Sequence, residues 1–146
     1  MTEHIFNLSA TWPGGRNTVG TIDAGQLKTE ISIPKEMEGP GIGTNPDEML
    51  LGAAATCYLI SLAAMLERAK IIPAQLSLKS QGIVDVTNGV FTYEKIIHQP
   101  EIELSKEATE REFAMVEKLA QKAERTCMIS KAIRGNVEIE LQTTIY

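Results

Sequence analysis

Two cysteines, Cys57 and Cys127, are the side chains of this sequence with the strongest claim to covalent chemistry. A thiol attacks as its thiolate, and burial raises its pKa, so a reactive cysteine among apolar neighbours needs a cation close by. Cys57 has such neighbours in Ala55, Thr56, Tyr58 and Leu59. Arg16 follows the Gly14-Gly15 turn, where the chain is free to aim a side chain, and is the obvious source of positive charge. Asp47 and Glu48 can hold that arginine, although a helix cap and the helix dipole already account for two carboxylates there. Each residue also has a plainer reading. Free cysteine is among the most buried residue types, which suits Cys57 in a core helix and Cys127 at the end of an apolar stripe, and Arg16 fits an ordinary solvated turn.

Other chemistries find less to stand on. His4 and His98 lie near a chain end or a strand edge, with no cysteine or carboxylate at metal-ligand spacing, and are read as surface residues. Two Cys and two His, with no Cys-x-x-Cys pair, are too few for the usual four-ligand zinc site. The glycines at 39, 41 and 43 match no phosphate-loop pattern, and Ser61 and Ser130 have no positioned His for triad hydrolysis. Fourteen Lys plus Arg against nineteen Asp plus Glu give a net charge of -5 and a pI near 5.1. No basic field exists to attract a phosphate backbone, so nucleic acid is not an expected partner.

The elements that must position these residues follow from periodicity. At 146 residues and 16.0 kDa, one domain over residues 1–146 is expected. Its 43% hydrophobic and 23% charged content suits a fold held by its core. Phe6, Leu8, Ala10 and Trp12 alternate with more polar neighbours, and Pro13-Gly14-Gly15 supplies a turn. Val19–Ile22 and Leu27–Ile33 complete a predicted β-meander, and the glycine-rich tract 35–44 reads as a flexible loop beside a site. Asn45-Pro46-Asp47-Glu48 is a helix start: N-cap, proline at the first position, acidic first turn. That helix is predicted to run to about Lys70. Alternation at Leu76–Val86, the turn Thr87-Asn88-Gly89 and a strand through Ile96–Leu104 predict a hairpin. Ser105 or Thr109 with Glu112 starts a second helix whose stripe is Phe113, Val116, Leu119, Ala120 and Ala123, continued by Cys127. Val137, Ile139, Leu141 and Thr143 form a final strand. The order βββ-α-ββ-α-β is an α+β arrangement.

The first helix carries two further implications. Met49 to Leu66 is an uncharged run at the lower edge of membrane-spanning length. Its six Ala and Gly residues favour a helix packed in protein over one inserted in a membrane, and with no signal segment in the opening Met1-Thr2-Glu3-His4 the expected location is a reducing cytoplasm. The helix is apolar on nearly every face and so should be surrounded by protein. Ten residues separate Asp47 from Cys57, roughly 15 Å along one helix, so a single helix cannot bring both to one point. They act separately, or two copies pack antiparallel across a two-fold axis and share a site.

Three blocks in order resemble the OsmC/Ohr family of thiol peroxidases. Thr44-Asn45-Pro46-Asp47-Glu48-Met49-Leu50, followed by small residues and Cys57, resembles the family's N-P-E-x-L…A-C signature. Cys127-Met128-Ile129-Ser130-Lys131-Ala132-Ile133-Arg134-Gly135-Asn136 resembles its C-P-x-S…R-G-N block, and Gly14-Gly15-Arg16 its G-G-R turn. The resemblance implies an intertwined homodimer with two central helices between β-sheets, reducing organic hydroperoxides and in some members hydrogen peroxide. It matches Cys57 to the peroxidatic cysteine, Cys127 to the resolving cysteine and Arg16 to the arginine that stabilises the thiolate. Two departures mark a divergent branch. Asp47 stands where the family has Glu, with Glu48 next, so either carboxylate is a candidate partner for Arg16, and Met128 replaces the proline after the second cysteine.

In the chemistry so implied, the Cys57 thiolate attacks the peroxide and Cys127 condenses with the resulting sulfenic acid. An external dithiol resets the disulfide, in the resembled family often a lipoyl-bearing protein, and no metal or organic cofactor is required. Met49, Met65, Met115 and Met128 are candidates to line an apolar pocket, with core filling the plainer reading. Two other classes stay open. One is a binding module holding a small hydrophobic ligand in a dimer cleft, and the other is a dithiol redox sensor acting through a partner.

Overall fold

A computed structural model describes residues 1–146. The chain divides into two compact units, residues 1–49 and 50–146. The first holds strands β1 (Ser9–Thr11), β2 (Gly20–Ala24) and β3 (Leu27–Ile31) in an antiparallel sheet of that order, then a single 3-10 turn at Lys35–Met37. The β2–β3 turn places Gly25 at φ 67°, where a side chain would be strained. The expected first strand contracts to three exposed residues, with Phe6 92% exposed. Its alternation marks an apolar face that this chain leaves uncovered. Tract 35–44 is strapped rather than flexible: Thr44 N–H bonds Glu30 O at 2.9 Å, Ser32 N–H bonds Thr44 O at 3.1 Å, and the Ser32 hydroxyl both donates to Ile42 O and accepts from Ile42 N–H.

Helix α1 (Pro46–Arg68) begins where its cap predicts, with Asn45 Oδ1 accepting the Glu48 N–H at 2.9 Å. In the second unit, β4 (Gln75–Thr87) and β5 (Val90–Glu103) form a long antiparallel hairpin with a bulge at Ile83/Val84. Its turn has Asn88 at φ 52° and Gly89 at φ 76°, the paired left-handed residues that an Asn-Gly turn provides. Helix α2 (Glu110–Thr126) follows, capped by the Thr109 hydroxyl on Glu112 N–H, so Thr109 rather than Ser105 starts it. A six-residue helix α3 (Met128–Ile133), then β6 (Glu138–Leu141) and β7 (Thr144–Ile145), complete the chain. Both last strands run parallel to β5. Helix α3 and β7 are shorter than the window over which periodicity can be read, so the expected order lacks them.

The core of this unit is built by Tyr58, Leu62 and Leu66 of α1, Ile102 and Leu104, and Val116, Ala120 and Ala123 of α2. The α2 stripe is the one its spacing predicts. Helix α1 differs from expectation: only Ala54, Tyr58, Leu62 and Leu66, four residues apart, are buried, and Ile60 is 69% exposed. It is long and apolar enough to cross a membrane by length and composition, yet the chain covers one stripe of it. An apolar groove of about 770 Å³ lies beside its second half, lined by Ile60, Ala63, Leu66, Ile72 and Leu76 with Glu67 at its rim.

Candidate functional site

Cys57 sits in the middle of α1, half-buried, one residue before the core residue Tyr58. Cys127 is wholly buried at the junction of α2 and α3, where its φ of −56° and ψ of 126° break the helical path. It ends one helix and starts the next: its N–H bonds Ala123 O at 2.9 Å, and its sulfur accepts the Ser130 N–H at 3.5 Å. The junction brings the two free thiols close enough for each to influence the acidity of the other.

Their acidities diverge. Burial pushes the Cys57 thiol up, but hydrogen bonds from the Cys127 thiol, the Ile129 and Met128 N–H groups and the Ser61 hydroxyl outweigh it, leaving Cys57 more acidic than an ordinary thiol. Cys127 goes the other way. Burial raises it first, and its hydrogen bond toward Cys57 raises it further, against smaller opposing contributions from Ser130 and the Ile129 N–H. The Ser130 hydroxyl lies beside the Cys127 sulfur, buried and without a well-formed hydrogen bond. Of the two thiols, Cys57 is therefore the one that gives up its proton more readily.

The first unit holds the remaining candidates. Arg16 is exposed and donates to Asn17 Oδ1 at 2.8 Å and to the carbonyls of Met37 at 2.8 Å and Glu38 at 3.2 Å. Glu38 adopts φ 60°, which turns the chain back after the 3-10 turn and presents these carbonyls. Asp47 and Glu48 occupy the first turn of α1, and Glu48 Oε1 accepts the Thr44 hydroxyl at 2.9 Å. Of the methionines, Met65 packs on the hydrophobic core, whereas Met128 is 70% exposed.

The reading of His98 as a surface residue is corrected. His98 is wholly buried on β5, between β4 and β6, with Nδ1 2.6 Å from the Ser80 hydroxyl and its ring stacked on Tyr58 at 5.2 Å between centroids. Its Nε2 has no partner, and burial lowers its pKa, so it is held neutral. A polar residue type suggested an edge, but the three-strand neighbourhood of β5 makes this position interior. Burial, helped by the charge of Glu124, likewise drives the Tyr58 hydroxyl well above its ordinary pKa, and that hydroxyl donates to Ala120 O at 3.0 Å. Sequence reasoning missed Ser61 and the Met128 and Ile129 N–H groups as partners of Cys57. Ser61, one helical turn beyond Cys57, was within reach of i, i+4 geometry.

The α+β fold carries one free cysteine on helix α1 and the other at the α2–α3 junction. Residues 39–142 match the OsmC family, described as OsmC-like protein, and the chain belongs to that family. It is 59% identical over 145 residues to the uncharacterized protein YmaD of Bacillus subtilis (strain 168), covering 99% of this chain and 97% of that one. It is 27% identical over 140 residues to an organic hydroperoxide resistance protein of Xanthomonas axonopodis pv. citri, covering 94% and 93% of the two chains. Among solved structures, the organic hydroperoxide resistance protein OsmC of Legionella pneumophila superposes with a TM-score of 0.78 at 26% identity, covering 99% of each chain.

Proposed function

We propose that the protein is a cytoplasmic thiol peroxidase that reduces organic hydroperoxides. The observation that carries this reading is the contact between two thiols whose surroundings make Cys57 the acid and Cys127 the proton holder. The names of the Xanthomonas and Legionella relatives support the substrate class. The Cys57 thiolate attacks the terminal oxygen of ROOH and the O–O bond breaks. The sulfur becomes a sulfenic acid, and the alkoxide takes a proton from water to leave as ROH. Forming the sulfenic acid removes the charge that raised Cys127, so the second thiol recovers acidity when it is needed. Its sulfur attacks the Cys57 sulfur, and hydroxide leaves with the Cys127 proton as water, giving a Cys57–Cys127 disulfide. An external dithiol, a lipoylated protein by the family resemblance, supplies two electrons and two protons to regenerate both thiols.

Arg16 supplies further positive charge to the thiolate and the departing alkoxide, oriented by Asp47 or Glu48. The exposed apolar faces of α1 support a homodimer, since a helix of this composition gains stability when a second copy covers it. A monomer at micromolar concentration, by light scattering, would remove that part of the reading. The function itself is tested by adding about one equivalent of an organic hydroperoxide to the reduced protein and recording intact mass with peptide mapping. Loss of two hydrogens with a Cys57–Cys127 crosslink is the expected result. Unchanged thiols with the hydroperoxide intact would overturn it and bring forward the small-ligand reading, for which the apolar groove beside α1 is the observation in favour.

A further inference from the structure

Helix α3 has six residues, too few to hold a position by helical cooperativity alone. The extended ψ of Cys127 also denies it a continuous axis with α2. Two sets of contacts fix it instead. On its apolar side Ile129 and Ile133 pack against the cluster of Ala54, Ile96 and Val137, and Ala54 lies one turn before Cys57 on α1. At its far end Arg134 reaches back over the junction: its Nη2 donates to Arg125 O at 3.2 Å and lies 3.8 Å from Glu124 Oε1. Both partners belong to the last turn of α2, whose carbonyls have no helical N–H ahead of them and whose dipole favours a cation. Segment 125–134 is thereby closed into a loop with Cys127 inside it. Gly135, at φ 92°, then turns the chain away, with the Asn136 and Val137 N–H groups both on Ile133 O at 3.1 and 3.0 Å.

Resting on the peroxidase reading, we propose that Arg134 is a positioning residue for the resolving step: it latches α3 to the end of α2 and so fixes where the Cys127 sulfur stands relative to Cys57. A disulfide forms only within a narrow range of Cα separations and Cβ directions. Cys127 is the residue at which the two helices meet, so any opening between them redirects its side chain. Arg134 acts through a carbonyl and a carboxylate of α2, not through either sulfur. The R-G-N block thus gains a task, the arginine latching the junction and the glycine turning the chain toward β6. Because both contacts are made by one nitrogen, a lysine ammonium can replace them in kind, which it could not do for a two-nitrogen fork. The Arg134 side chain is 53% exposed, and an ion pair so exposed adds little to global stability. Its removal therefore leaves a folded protein in which placement can be measured.

The test needs no peroxide. Oxidised glutathione takes two electrons and two protons from the thiol pair, closing the Cys57–Cys127 disulfide and leaving two molecules of reduced glutathione. The crosslinked fraction across buffers of the two glutathione forms, read by intact mass and peptide mapping, gives the constant for closing the pair. Arg134→Ala is expected to lower that constant roughly tenfold, within the cost that misplacing reacting groups carries, and Arg134→Lys to restore most of it. The pH midpoint of Cys57 alkylation by iodoacetamide should rise in the alanine variant and return in the lysine variant, while thermal unfolding stays near native in both. A constant in Arg134→Ala equal to that of the unaltered protein, with native circular dichroism, would overturn the proposal, as would a fall that Arg134→Lys does not restore. Should the alanine variant fail to fold, Arg134→Met, which keeps the stem without the donor, carries the test, and an unchanged constant there overturns the latch. Closure that depends on Arg134 in a protein that leaves hydroperoxide intact would uphold the latch and count against the peroxidase reading alone.

Discussion

Cys57 and Cys127 are the same chemical group, each within reach of the other's influence, yet their surroundings drive them in opposite directions. Burial acts on both in the same sense, raising each. What separates them is the direction of the hydrogen bonds: donors converge on Cys57, while Cys127 spends its own proton as one of those donors. Depth is the largest single influence on each thiol, but the hydrogen-bonding surroundings decide the difference between them. A cysteine placed on a regular helix accepts little, because the local peptide N–H groups are already used. Cys57 departs from that limit because residues of another element, around the α2–α3 junction, lower its pKa.

The comparison can be broken outright by removing one sulfur at a time. Cys57→Ser is expected to abolish hydroperoxide consumption, measured by residual peroxide. Cys127→Ser is expected to keep one stoichiometric oxidation and lose turnover with a dithiol. Its Cys57 midpoint should also rise, because the Cys127 thiol is the largest influence lowering it. Arg16→Ala tests how much of the acidity comes from charge rather than from N–H donors. A charge worth about one pKa unit to the thiolate predicts roughly tenfold slower peroxide consumption below the midpoint, with thermal stability near native, since the guanidinium bonds lie on exposed groups.

Leu62→Ala separates the buried stripe of α1 from its chemistry. It should cost about 2–5 kcal/mol in denaturant unfolding through the cavity it leaves, while the thiol order is retained in the folded fraction.

His98 gives the smallest and most distinct effect, on the acid side of neutrality. Its folded pKa is depressed by burial, so below the unfolded value of about 6.5 the unfolded chain binds a proton that the folded chain refuses. Stability from this group is intact above that pH and falls as pH drops toward the folded value. His98→Phe, which keeps a ring on Tyr58, should flatten that decline in chemical denaturation series at successive pH values.

The parts of the fold that were legible in the sequence are those decided locally. Asn45, Thr109 and Asn88-Gly89 each fix their own turn or cap through a side chain or a left-handed backbone, and the α2 stripe of Val116, Ala120 and Ala123 announces its buried face by spacing alone. The junction at Cys127 was not legible, because the apolar period simply continues through it and the break in ψ has no residue-type signal. The meeting of the two thiols was expected only from resemblance, since no local rule links residues so far apart in the chain. His98 was misread because strand position, not residue type, decides its burial. The alternation of Phe6 and Leu8 was real but did not extend the first strand, as pairing with β2 stops at Ser9.

The central claim is the division of labour between the thiols, and sulfenic acid trapping tests it most directly. Cys127→Ser and Cys57→Ser would each receive one equivalent of organic hydroperoxide with dimedone present, followed by peptide mass mapping. The account predicts a dimedone adduct on Cys57 in the first variant and an unmodified Cys127 in the second. An adduct on Cys127, or an unmodified Cys57 while hydroperoxide persists, would contradict it.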